Sequence, residues 1–211
     1  MCKMVNVGLL GAVSVGKTTI LRQFVKYVEE GRIPEIDKDI NCSIVKTDFS
    51  GESTLKPGES KETKTIHPNR VVFREDKTGK NHTLFAPGGD RERAVVKMGI
   101  ITISRIARKI IAVFELTREL DTQFKFFTDV RFFPKDIAVC LNKYDLLADK
   151  NKTQADATVK DYQAKIKDFF EKRRIVVTAF YPTCAETKDE YKKFNDSVVN
   201  MLLDITVRQP D

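Results

Sequence analysis

The 211-residue chain is 41% hydrophobic, enough for one packed domain or for one domain carrying a large insertion. Lysine and arginine total 37 against 30 acidic residues, a net charge of +7 spread along the sequence. No apolar run is long enough to span a bilayer, and Met1 to Asn6 lacks the apolar core of a secretory signal. The N-terminus lacks a myristoylation glycine, and Arg208-Gln209-Pro210-Asp211 is not a prenylation box. Cysteines 2, 42, 140 and 184 show no C-x-x-C spacing for a metal or redox site. Reduced thiols and a cytoplasmic location are expected, with Cys140 packed as a small hydrophobe. The basic surplus leaves peripheral contact with an anionic membrane open. No nucleic-acid partner is expected: Lys165, Lys167, Lys172, Arg173 and Arg174 gather at a helix end, where cations are favourable anyway.

Val5 to Leu10 reads as a short buried strand, and residues 11–16 are punctuated by glycine. Ile20, Leu21, Phe24, Val25 and Val28 then recur at helical spacing over Thr18 to Glu29. Residues 31–64 are irregular, although Ile40, Cys42 and Ile44 alternate as in a strand. Ser50 to Lys64 is polar and loop-like. Arg70 to Glu75 and His82 to Ala86 form an expected hairpin around Asp76 to Lys80. Asp90 to Arg108 predicts a helix with Val95, Met98, Ile101 and Ile106 inward. Strands are expected at Ile110 to Leu116, Ile137 to Leu141 and Ile175 to Ala179. Helices are expected at Leu120 to Phe127, Ala155 to Lys172 and Ala185 to Leu203. The alternation predicts a three-layer α/β fold: a mostly parallel six-stranded sheet, one antiparallel edge strand, and helices on both faces.

Gly11-Ala12-Val13-Ser14-Val15-Gly16-Lys17-Thr18 fits G-x-x-x-x-G-K-[ST] between a strand and a helix. Its backbone N–H groups can converge on phosphate oxygens, helped by the helix N-terminus, with Thr19 next in line. Lys17 can reach the β- and γ-phosphates, and the Thr18 hydroxyl can hold Mg²⁺. Asn142-Lys143-Tyr144-Asp145 follows a strand, where open α/β sheets bind ligands. A carboxylate at Asp145 can accept from guanine N1–H and its exocyclic amine, a donor pair that adenine lacks. Asn142 and Lys143 shape that pocket. Thr178-Ala179, at the expected end of the last strand, offers a backbone N–H to the guanine O6. Ala86-Pro87-Gly88-Gly89-Asp90 offers a glycine N–H to a γ-phosphate.

In this order the motifs resemble the Ras-like small GTPases from Val5 to about Leu203. Phe85-Ala86-Pro87-Gly88 looks more like the prokaryotic Ras-like GTPases similar to the signal recognition particle receptor β-subunit. The resemblance implies a single G domain over residues 1–211, with an extended switch I insertion at about 31–64. It implies a switch that binds GTP or GDP with Mg²⁺ and acts on a protein effector or activator, of a class that includes small roadblock-type proteins. Lys17, Thr65, Gly88 and Gly89 take the catalytic positions. Thr18 and Thr65 take the metal positions, with Thr63 the alternative to Thr65. Asp48-Phe49-Ser50-Gly51 also fits D-x-x-G, but it precedes the threonine and lies too far from Asn142. In this register Phe85 replaces the family aspartate that holds magnesium through water, and Gly89 replaces the water-orienting glutamine. Hydrolysis is therefore expected to be slow. A nucleotide-binding module without hydrolysis is the alternative. Arg91 and Arg93 are candidate arginines in cis.

Overall fold

The computed structural model describes residues 4–50, 67–149, 152–187 and 189–208. The most apolar segment near the start, Asn6–Leu10 (β1), sits at the centre of the sheet. Around it lie Cys42–Asp48 (β2), Asn69–Glu75 (β3), Lys80–Ala86 (β4), Lys109–Glu115 (β5), Asp136–Asn142 (β6) and Val176–Pro182 (β7). Their spatial order is β2-β3-β4-β1-β5-β6-β7. Strands β4, β1, β5, β6 and β7 pair in parallel. Strand β3 runs antiparallel to β4 and β2. Antiparallel pairing is thus confined to one edge, as expected, but the sheet has seven strands rather than six. The additional strand is β2, an edge strand whose later residues are mostly exposed. Backbone pairing with β3 defines it, and its side chains give only a weak apolar alternation.

Helices Lys17–Glu29 (α1) and Lys192–Leu203 (α7) cover one face. Leu9, Phe24, Phe73, Leu84 and Leu202 interlock there. The other face carries Ala94–Ile106 (α3), Leu120–Thr128 (α4) and Lys152–Glu171 (α6). Its centre is aromatic: Phe114 stacks on Phe127 at 4.9 Å, and Phe170 meets both edge-on. Two short helices complete the set, Ile33–Ile36 (α2) and Tyr144–Ala148 (α5). Residues 33–48, within the expected insertion, thus hold α2 and β2. Residues 51–66, including Thr63 and Thr65, lie outside the described residues, as does Cys2. The other three cysteines are free thiols, and Cys140 is wholly buried, which pushes its thiol up to about 12. Among the described residues no helix is long and apolar enough to cross a membrane.

Helix α3 turns a different face inward from the one expected. Val96, Ile100 and Ile103 are buried, whereas Val95, Met98 and Ile106 are exposed and Ile101 is half-buried. Both faces of this helix are apolar, so spacing alone does not choose between them. The choice is made at Gly8 of β1, where a Cβ would stand 2.7 Å from the Ile103 side chain. The bare backbone there admits Ile103.

The basic cluster of α6 is largely neutralised within its own helix. Lys165 pairs with Asp161 at 2.8 Å, Lys172 with Asp168 at 2.6 Å and Lys167 with Glu171 at 3.7 Å. These exposed pairs add little stability, but they remove the isolated positive patch suggested by composition.

His82 of β4 is a buried imidazole that stacks on Phe73, with neither ring nitrogen hydrogen-bonded. Burial pulls its pKa below the ordinary 6.5. The unfolded chain therefore binds the proton more readily, and stability falls as pH drops through and below 6.5. Replacing His82 with Phe should flatten that dependence. Urea midpoints of both proteins at pH 7.5 and about pH 5.5 test it: the wild type should lose more on acidification.

Candidate functional site

Five parallel strands bring their carboxyl ends to one edge of the sheet, and the loops that follow them gather there. Chain order leaves β1 toward β4 on one side and β5 on the other, which opens a crevice at that edge. The loop after β1 is the glycine-rich motif. Gly16 has φ +93°, and Ser14 is also left-handed at φ +61°. A Cβ on Gly16 would stand 2.2 Å from the Asn142 amide, so this position requires glycine for both conformation and space.

Lys17 opens α1, and its side chain folds back into the loop. The ammonium donates to the carbonyls of Gly11 at 2.8 Å and Ala12 at 2.7 Å. Burial, with the nearby Arg118 charge adding to it, lowers its pKa to about 7. Such a cation, held among neutral carbonyls beside a helix N-terminus, suits an anionic ligand. Val15 is fully buried beneath the loop, and Thr19 lies at the cleft described below.

The Thr18 hydroxyl accepts a hydrogen bond from the Asn69 amide nitrogen at 2.8 Å. Asn69 starts β3, is wholly buried, and its amide oxygen has no partner. Hydroxyl and amide oxygens are hard donors of the kind magnesium takes alongside water and phosphate. The pair therefore fits that ion.

The segment after β4 corrects the expected register by one residue. Phe85 points into the core on the α3 face, so it does not stand where a metal-holding aspartate would. Ala86 lies on the α1 face, the side that carries Thr18 and Asn69. Strand alternation imposes this, since neighbours point to opposite faces. Pro87 and Gly88 are buried. A close approach to the glycine-rich loop is made by Gly89. A Cβ there would lie 2.3 Å from Ala12 C and Val13 N. Asp90 directly follows this glycine. Its carboxylate bonds to the Glu92 N–H at 3.3 Å and pairs with Arg93 at 3.3 Å. Arg91 is turned toward α4, on the Phe126 carbonyl and Asp129 at 2.9 Å each. Among the described residues the glycine-rich loop is held by Arg118, which donates to the Val13 carbonyl at 2.9 Å.

Asn142 ends β6 and binds two other loops. Its amide donates to the Val15 carbonyl at 2.9 Å and accepts from the Thr183 hydroxyl at 3.2 Å. Lys143 is left-handed at φ +65° and pairs with Glu115 at 3.1 Å. Asp145 sits in the first turn of α5, 3% exposed. A cleft of about 130 Å³ is lined by Gly16, Thr19, Asn142, Lys143, Asp145, Leu146, Ala185 and Glu186. A larger cleft, about 660 Å³, lies between α3 and α4 and touches none of these residues.

Thr178 and Ala179 are not at this cleft. Both lie inside β7, where the Thr178 hydroxyl bonds to the Ile137 carbonyl and Ala179 pairs with Ala138. The strand continues through Phe180 and Tyr181, strong β-formers, and ends at Pro182. The loop that reaches the cleft is Thr183 to Glu186. Asn195 of α7 pins it through the carbonyls of Cys184 at 2.6 Å and Glu186 at 2.7 Å. Thr183, Cys184 and Ala185, small residues just past two aromatic strand residues, were the sequence signal for it. Glu115, Arg118 and Asn69 carried no such signal, because their roles depend on neighbouring strands.

No protein-family model matches the chain, and no curated protein sequence matches it. Its fold is nevertheless shared with solved P-loop GTPases. A variant of Era from Aquifex aeolicus, bound to GDP·AlF4⁻, superposes with a TM-score of 0.59 at 15% identity over 99% of this chain. A bacterial selenocysteine-specific elongation factor gives 0.54 at 15% identity over 97%. SelB from Methanococcus maripaludis, in complex with the GTP analogue GPPNHP, gives 0.50 at 15% over 95%. The chain spans 58% of the Era chain and 29% and 34% of the two elongation factors. At this identity the likeness shows the fold alone.

Replacing Asn142 with Ala removes a buried amide and leaves the Val15 carbonyl and Thr183 hydroxyl unpaired by it. Unfolding of the ligand-free variant in urea should show a loss of about 1–3 kcal/mol.

Proposed function

We propose that this chain is a guanine-nucleotide switch: it binds GTP or GDP with Mg²⁺, hydrolyses GTP slowly and acts on a protein partner. One observation carries the reading. Asn142 joins the phosphate-type loop to the segment bearing Asp145, so an anion cradle and a buried carboxylate share one cleft. An N–H-lined loop beside Lys17 suits a nucleotide's phosphates, and a carboxylate suits the donor edge of guanine.

In this reading residues 11–16 present backbone N–H groups to the phosphates, with Thr19 at the cleft. Lys17 exchanges its carbonyl partners for phosphate oxygens, which restores the charge that burial disfavours. Asp145 accepts from guanine, Lys143 packs beside it on Glu115, and the Ala185 N–H faces the base edge. Gly89 offers its N–H where the phosphate loop is nearest. Thr18 would hold Mg²⁺, which would supply positive charge to offset the charge of the phosphates. Thr65 is the proposed γ-phosphate sensor in the 31–64 switch region. Slow hydrolysis follows from the lack of a carboxylate at Ala86 and from Asp90 being committed to Arg93. Those two features also favour a second reading, a module that holds nucleotide without hydrolysing it. A cytoplasmic protein with a roadblock-type partner completes the proposal.

The test is binding of labelled GTP with Mg²⁺, followed for bound nucleotide and released phosphate over hours. GTP should be displaced by GDP and at least about 100-fold less well by ATP, since a hydrogen-bonding pocket rejects the wrong edge strongly. Lys17→Ala should abolish retention. Asp145→Asn should shift preference toward xanthine nucleotides, whose extra carbonyl matches an amide donor. Phosphate release on the order of 10⁻⁴ s⁻¹ or slower supports the switch, and no release at all supports the non-hydrolysing module. No binding overturns the proposal.

A further inference from the structure

Asn69 is the first residue of β3, and its side chain is fully enclosed. It lies directly across the ladder from Ala86 and on the same face. One amide atom bonds the Thr18 hydroxyl at 2.8 Å, and the other is buried without a partner. A wholly buried amide with one of its two polar atoms unbonded is costly. The amide's two ends differ only by a half-turn of its terminal torsion. With the oxygen toward Thr18, it accepts the hydroxyl proton and leaves the hydroxyl lone pairs for a cation. With the oxygen away from Thr18, it is a free acceptor beside the hydroxyl. The structure has the second orientation, with the uncommitted acceptor oxygen turned away from Thr18, and the methyl of Ala86 leaves no carboxylate at that position to compete for the role.

We propose that Asn69 is the positioning residue of the magnesium site. It orients the Thr18 hydroxyl and accepts from the ion's water shell, across the ladder from the strand position that Ala86 leaves apolar. The inference rests on the nucleotide-and-magnesium reading above and adds to it a residue on the neighbouring strand. Because the amide is neutral, the site holds magnesium less tightly than one with a carboxylate there.

The test is release of a fluorescent GDP analogue from the full chain as Mg²⁺ is titrated, with an EDTA-treated reference. The wild type should release the analogue more slowly as Mg²⁺ rises. Asn69→Ala should raise the Mg²⁺ concentration at half-effect by about 10-fold or more, the usual cost of losing an outer-shell partner. Its release rate in EDTA should stay within about twofold, as phosphate contacts do not pass through Asn69. Asn69→Asp, similar in shape but charged, should lower the half-effect concentration instead, and it keeps the test open if the alanine variant folds poorly. A half-effect concentration unchanged in both variants overturns the inference and leaves nucleotide binding standing. Release in the wild type that ignores Mg²⁺ does the same. Failure of the wild type to bind the analogue overturns the nucleotide reading and this inference together.

Discussion

One side-chain amide organises the loop edge of this protein. Asn142 ends a strand, yet its two hydrogen bonds run to the loop after β1 and to the loop after β7. Three loops that begin on three different strands are thereby held in one arrangement. The constraint is reciprocal: the amide fits because Gly16 has no Cβ, and Gly16 keeps its left-handed turn against the amide. Buried polar contacts of this kind are demanding, since each unmade bond costs more than each made bond contributes. The surrounding polar groups extend the arrangement. The Tyr144 N–H bonds to the Thr183 carbonyl, and Gln123 bonds both backbone groups of Glu115, whose carboxylate pairs with Lys143.

Much of this was legible in the sequence for a physical reason. Strands buried on both faces are continuous apolar runs, and β5 and β6 are of that kind, so their places were readable to within a residue or two. The glycine-rich loop was legible because glycine, lysine and threonine at those spacings answer a geometric demand. Edge strand β2 was harder, because its hydrogen-bonding partner is the adjacent strand and its side chains largely face solvent. The end of β7 was misplaced because small residues at Thr178 and Ala179 resembled a strand terminus, while Phe180 and Tyr181 carry the strand onward. The inward face of α3 lay beyond reach of periodicity, since it is chosen by the absence of a side chain on Gly8, a residue of another element.

The one-residue shift after β4 has the widest consequences. Motif spacing aligned Phe85 with a charged position and Gly89 with a glutamine. Strand alternation overrides that spacing, because a side chain's face is set by its parity along the strand. Phe85 belongs to the core under α3, and Ala86 faces the site. The replacement of a charged residue by an aromatic one then ceases to be a puzzle. A half-buried phenylalanine packed against apolar side chains is ordinary, and the change that matters is an alanine where a carboxylate would face Thr18.

That alanine links fold to chemistry. A methyl on the α1 face leaves the neighbourhood of Thr18 without an anion on β4, and among the described residues the adjacent strand supplies there the neutral amide of Asn69. In the proposed reading a site built this way would rely more on the ligand's own phosphates for negative charge, so that ion and nucleotide would reinforce each other's binding. Lys17 completes the logic from the opposite sign. Its ammonium, folded onto the Gly11 and Ala12 carbonyls and disfavoured by burial and by Arg118, is relieved when an anion arrives. In the proposed reading, cation and hydroxyl alike are placed where a phosphate-bearing ligand would balance them.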